Sequence, residues 1–182
     1  KDAIQGLRNQ GATLMITVDC GITGNEEVDF AASIGLDVVI TDHHECKEQL
    51  PQCAAVVDPH RPDRTYPHTM LSGVGIAFKL AAALSGDQDA VARRYCDLIC
   101  LGTIADVMTL QGENRRLVVM GLEALRRPQR LGLRALIHAC GCDEQEITAG
   151  TIGYILAPRV NAAGRMEQAE LAVRLFLTQD PQ

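Results

Sequence analysis

The chain contains no apolar run approaching the ~18–20 residues needed to cross a bilayer. Nothing in it reads as a signal peptide, because Lys1-Asp2-Ala3-Ile4-Gln5 opens directly on an amphipathic segment. These absences argue for no membrane partner and for a cytoplasmic protein. Repeats and low-complexity tracts are missing too, and without an initiating Met the sequence reads as a piece of a longer chain. No Cys-x-x-Cys occurs. The seven cysteines, at 20, 46, 53, 96, 100, 140 and 142, are odd in number and lie mostly in apolar surroundings. They are expected to be reduced core thiols, and neither Cys140-Gly141-Cys142 nor Cys46 beside the histidines has a zinc spacing. Lysine is absent after residue 114. Residues 1–114 carry 8 Lys+Arg against 16 Asp+Glu, whereas residues 115–182 carry 9 Arg against 7 acids. Arginine is the residue that bidentate phosphate recognition favours, so the net charge of −6 hides a division between an acidic and an arginine-bearing half.

What is present is organised around Leu36-Asp37-Val38-Val39-Ile40-Thr41-Asp42-His43-His44-Glu45, a short β-branched run that ends in four ionisable side chains. The same pattern occurs upstream in Thr13-Leu14-Met15-Ile16-Thr17-Val18-Asp19-Cys20-Gly21. Between the two, Thr23-Gly24-Asn25-Glu26 reads as a capping box opening a helix from Glu26 to Ile34, with Gly35 closing it. The sum is a βαβ unit. Its strands run parallel, so Asp19 and Asp42-His43-His44 share the carboxyl edge of the sheet, where open α/β sheets bind ligands. Carboxylates and imidazoles converging on one cleft suit a divalent cation. Oxygen ligands favour Mg²⁺ and Mn²⁺ and the histidines favour Mn²⁺ of the two, while Fe²⁺, Co²⁺ and Zn²⁺ stay open.

The remaining pattern predicts a helix over residues 1–10, a third strand at Ala54–Val57 stopped by Asp58-Pro59, and a proline-rich loop to His68. Leu71-Ser72-Gly73-Val74-Gly75 opens a helix over Ile76–Leu84, where the glycines serve either a phosphate or close packing. Helices follow at Ala90–Ile104, Glu113–Arg126, Leu133–Ala139, Thr148–Leu156 and Gln168–Leu177, with Ala157–Met166 between the last two. Asp106 emerges from an apolar segment, which is costly unless the acid is paired or metal-bound, and is a third acidic candidate. The expected fold class is α/β, a parallel βαβ sheet over residues 1–70 followed by a helical second half over 71–182.

In order and spacing, Asp19-Cys20-Gly21, Asp42-His43-His44-Glu45, Ser72 through Leu80, Gly102-Thr103-Ile104-Ala105-Asp106-Val107, Glu113-Asn114-Arg115 and Arg159-Val160-Asn161-Ala162-Ala163-Gly164-Arg165 resemble the RecJ-type single-strand-DNA-specific exonucleases of the DHH phosphoesterase superfamily. The resemblance covers nearly the whole chain. It implies one DHH-type catalytic domain fragment, residues 1–182, from a hydrolase that degrades single-stranded DNA from the 5′ end with two Mn²⁺ or Mg²⁺ ions. The setting would be DNA repair and recombination, with other repair proteins as partners. Under it Asp19 bridges the metals, His43 and Asp106 ligate one of them, His44 faces the scissile phosphate and Asp42 orients His43. Arg159, Asn161 and Arg165 would contact the DNA backbone, with helix-boundary capping as the competing role, above all for Asn161. The family's first aspartate motif, on a strand of the sheet's middle, and its C-terminal domains are not in this sequence. The isolated chain is therefore expected to be inactive, with an open sheet edge and an exposed apolar face. Two other readings remain, a DHH phosphodiesterase of short oligonucleotides or cyclic dinucleotides, and a non-catalytic DNA-binding scaffold.

Overall fold

The computed structural model describes residues 1–143, 146–165 and 169–180, the side chains of 164 and 165 excepted. It divides into two compact units, Lys1–Gly86 and Asp87–Gln182.

The first unit is an α/β layer. Helix α1 (Asp2–Asn9) leads to β1 (Leu14–Val18), α2 (Asn25–Ser33), β2 (Asp37–Thr41), β3 (Ala55–Val57) and α3 (Gly73–Ser85). The three strands are parallel in the order β1-β2-β3, with Val18 beside Thr41 and Thr41 beside Val57. A parallel sheet in this register brings the residues that follow the strands, Asp19, Asp42 and Asp58, to one edge. Its core is Ile4, Val28, Ala31, Leu36, Val38 and Ile40, contributed by the inward faces of α1, α2 and β2. At these burials each large apolar side chain contributes about 1.5–3 kcal/mol. Among the described residues β1 has a strand neighbour on one side only, and Leu14, Ile16 and Val18 along one of its faces are 49%, 46% and 53% exposed.

The capping box expected at Thr23–Glu26 does not form. A turn closed by the Gly24 N–H on the Gly21 carbonyl (2.9 Å) takes up Thr23, so Gly24 becomes the N-cap of α2 and no side chain caps it. Gly35 does close α2, at φ 71° with its N–H on the Ala32 carbonyl.

The second unit is helical: α4 (Gln88–Ala105), α5 (Gly112–Leu125), α6 (Leu131–Ala139), α7 (Ala149–Thr151), a π-helical turn (Ile152–Leu156), α8 (Ala157–Arg165) and α9 (Ala169–Leu177). Its core is drawn from α4, α5, α6 and the π turn, with Cys100, Leu125, Leu133, Ile152 and Leu156 fully buried. The Arg130 guanidinium bonds buried Asp97 at 2.9 Å, tying α4 to the start of α6. Residues 157–165 continue the helix through Pro158. A proline inside an α-helix lacks a donor and crowds the carbonyl four residues back, and the wider π turn just before Ala157 relieves that crowding. No helix among the described residues is long and apolar enough to cross a membrane.

Candidate metal centre

β1 ends in a left-handed residue. Asp19 has φ 64°, a region that L residues other than Asn and Asp rarely enter, and its N–H donates to the Thr41 carbonyl at 2.9 Å. The turn beyond it is closed by the Thr17 hydroxyl donating to the Cys20 carbonyl at 2.6 Å. This reversal turns the Asp19 carboxylate toward β2, where its Oδ1 lies 3.0 Å from Nε2 of His43. His43 is 9% exposed, while the Asp19 and His44 side chains are open.

Asp42 is the buried anchor of the edge. Its Oδ2 accepts from the Ile22 N–H at 3.0 Å, and its Oδ1 accepts from the His43 N–H at 2.8 Å and the His44 N–H at 3.4 Å. The ring that it holds is that of His44, through Nδ1 at 2.6 Å, while the His43 backbone N–H donates to the same carboxylate. Burial by itself would push the Asp42 carboxyl up. The bonds from Ile22, the His44 ring and the two histidine N–H groups outweigh it and hold the group below the ordinary carboxylate range.

The donor set fits a divalent cation. One ligand atom each from Asp19, His43 and His44 falls within 4.8 Å of the others. Neighbouring ligands of an octahedral ion with bonds of about 2.1 Å stand about 3.0 Å apart, and that is the separation of Asp19 Oδ1 and His43 Nε2. The exposed Asp19 carboxylate and His44 imidazole leave positions open for water or substrate.

Asp106 lies in the second unit, as the exposed residue that ends α4, and is followed by Val107 at φ 55°. A β-branched residue in the left-handed region stores about 1–3 kcal/mol of strain, of the kind that collects at functional sites. Arg159 and Asn161 are exposed on α8, and one Arg159 N–H is spent on the Ile155 carbonyl at 2.7 Å. The Arg165 side chain lies outside the described residues.

Sequence reasoning passed over Asp58. It repeats the pattern of Asp19 and Asp42, an apolar strand ending in aspartate, on a strand of only three residues. Its Oδ1 accepts from the His60 N–H at 2.7 Å, while its buried Oδ2 and the buried Nδ1 of His60 have no hydrogen-bond partner. Burial pushes the Asp58 carboxyl up, the His60 N–H opposes this, and the neighbouring charge of Asp42 adds to the rise.

Residues 2–103 match the DHH family, N-terminal domain. The chain belongs to the DHH family. This DHH chain is 47% identical over 180 residues to the single-stranded-DNA-specific exonuclease RecJ of Bacillus subtilis, covering 99% of this chain and 22% of that protein. It is 37% identical over 181 residues to the RecJ of Escherichia coli, covering 92% and 31%. The crystal structure of RecJ in complex with Mn²⁺ from Thermus thermophilus superposes with a TM-score of 0.82 at 36% identity, over 99% of this DHH chain and 27% of that one. The chain thus spans between about a fifth and a third of the relatives it matches.

Proposed function

We propose that this chain carries the metal-binding edge of a single-strand-DNA-specific exodeoxyribonuclease that hydrolyses phosphodiester bonds from the 5′ end. The observation that carries the reading is the 3.0 Å approach of Asp19 Oδ1 to His43 Nε2 with His44 beside them. It is supported by 47% identity to a protein named as a single-stranded-DNA-specific exonuclease. Both units belong to one DHH-type catalytic domain in this reading. Bound Mn²⁺ or Mg²⁺, two ions in the complete enzyme, would lower the pKa of water and neutralise charge on the attacking and leaving oxygens. The chain's own residues do the rest. Asp19 and His43 would hold the cation, Asp42 fixes the His44 ring through Nδ1, and His44 would face the scissile phosphate. Asp106 is the second unit's candidate ligand, supported by the strained Val107 that follows it. A role in DNA repair and recombination, a cytoplasmic location and contacts with other repair proteins accompany this assignment.

The test is Mn²⁺ titration of a longer chain that carries these residues, followed by the loss of free Mn²⁺ signal in electron paramagnetic resonance. Asp19→Ala and His43→Ala are each expected to weaken binding by about 100-fold or more, since even outer-shell partners are worth about 10–100-fold. Undiminished Mn²⁺ affinity in His43→Ala would sink the assignment. For the arginines, Arg165→Ala is expected to reduce the salt dependence of single-stranded DNA binding by about one unit of slope if one phosphate contact goes. An unchanged slope with a lower melting temperature would make Arg165 a capping residue instead.

A further inference from the structure

Helix α3 starts hard against the candidate ligand Asp19. Ser72, 1% exposed, caps the helix by accepting from the Gly75 N–H at 3.3 Å, and its extended backbone (φ −73°, ψ 167°) fixes where the first helical residue sits. That residue is Gly73. A Cβ placed on it would collide with Oδ1 and Cγ of Asp19 and lie 2.5 Å from the Asp19 Cβ. Rotation about χ1 can carry Oδ1 and Cγ away but leaves Cβ where the backbone puts it. Relief would therefore require the backbone of Asp19 to move. It has little room to do so, being held at φ 64° by its own bond to Thr41 and by the Thr17–Cys20 closure.

We infer that Gly73 is a positioning residue for Asp19: the missing side chain forms the seat in which the carboxylate reaches His43. The inference rests on the reading of Asp19 as a metal ligand. It gives the first of the paired glycines at the head of α3 a packing role, since the space at Gly73 is occupied by a side chain of this protein. The three atoms nearest to a methyl group at position 73 all belong to Asp19. The Gly73 backbone is helical, with none of the left-handed φ that excludes L residues, and in such a conformation Gly→Ala is ordinarily neutral or stabilising. Gly75, two residues on, meets Leu71 Cβ and Cδ2 at 3.3 Å, far looser than the overlap at Gly73, and Gly6 in α1 meets nothing within 4 Å.

Gly73→Ala in the longer chain is expected to weaken Mn²⁺ binding by about 10–100-fold, the range for residues that orient a ligand, while Gly6→Ala binds as wild type. A second measurement reads the steric contact without metal. Asp19→Gly removes the opposing Cβ and suits the left-handed φ, so the melting temperature lost in Gly73→Ala should be recovered when that change is made in an Asp19→Gly background, both in EDTA. Should Gly73→Ala alone fail to fold, a folded Asp19→Gly/Gly73→Ala double variant carries the same conclusion. Wild-type Mn²⁺ affinity in a folded Gly73→Ala, or an equal loss of stability in both backgrounds, overturns the inference. A wild-type protein that takes up no Mn²⁺ overturns the metal reading of Asp19, while recovery in the double variant would still locate the contact.

Discussion

Incubated with 5′-phosphorylated single-stranded DNA and Mn²⁺, the 182-residue chain is expected to release nucleotides about a thousandfold more slowly than a longer chain that carries it. Among the described residues, the one group placed to hold a metal is Asp19, His43 and His44, a single cluster in which Asp19 and His43 are the assigned ligands of one ion. Hydrolysis by two metals needs both: one for the nucleophile and one for the charge that builds on the leaving oxygen. Losing the second ion forfeits several kcal/mol of transition-state stabilisation, and each 1.36 kcal/mol is about tenfold in rate, which gives the thousandfold figure. Nucleotide release measured at equal concentration of the two proteins decides it. Rates within tenfold of each other would mean that one ion suffices, or that the assignment of Asp19 and His43 to the metal is wrong.

Asp42→Ala is expected to lower the stability of the first unit by about 3–4 kcal/mol, because it strands two buried backbone donors and releases the half-exposed His44 ring. The Ile22 N–H, the His43 N–H and the His44 Nδ1 all lose their acceptor, and the carboxylate they shared is 1% exposed. For a chain of this size that is a fall of roughly 10 °C in melting temperature, measured in EDTA. Asp42→Asn keeps the shape, loses the charge and should fall less. Its pH dependence has a definite sign. The Asp42 carboxyl titrates below its ordinary value of 3.8 in the folded chain, so its contribution is fully present above that value and is lost as pH falls through the lower folded value. The gap between wild type and Asp42→Asn should therefore hold steady from neutral pH down to about pH 4 and close only below it. A gap that had already closed at pH 5 would show that the bonds to Ile22 and His44 do not hold the carboxyl down.

The sheet and its acidic tips were legible because the local signal and the tertiary outcome agree. A run such as Val38-Val39-Ile40 is too short for a helix, and an ionisable residue directly after it can only sit where the strand leaves the core. Asp42 could be placed at the edge on that basis, but not its partner. Which imidazole a carboxylate holds depends on angstrom-scale loop geometry, and the structure gives His44 to Asp42. Thr23 misled for a similar reason: the capping-box spacing is met, but the turn between Gly21 and Gly24 removes Thr23 from the cap position. Residues 157–165 read as a break because Pro158 and Gly164 punctuate them, and a π turn that lets a helix pass a proline leaves no mark of its own in sequence. The contact of Gly73 with Asp19 was out of reach, since a Gly-x-Gly before a helix looks the same whether it faces a phosphate or a neighbouring side chain.

The half-bare β1 strand changes what a melting experiment on this chain measures. An edge with one ladder unfilled and Leu14, Ile16 and Val18 partly in water behaves as an open valence, and a second copy can fill it. Mass action would then enter the folding equilibrium. The transition temperature is expected to rise with protein concentration, and a stability quoted at one concentration would count encounters between molecules together with the collapse of a single one.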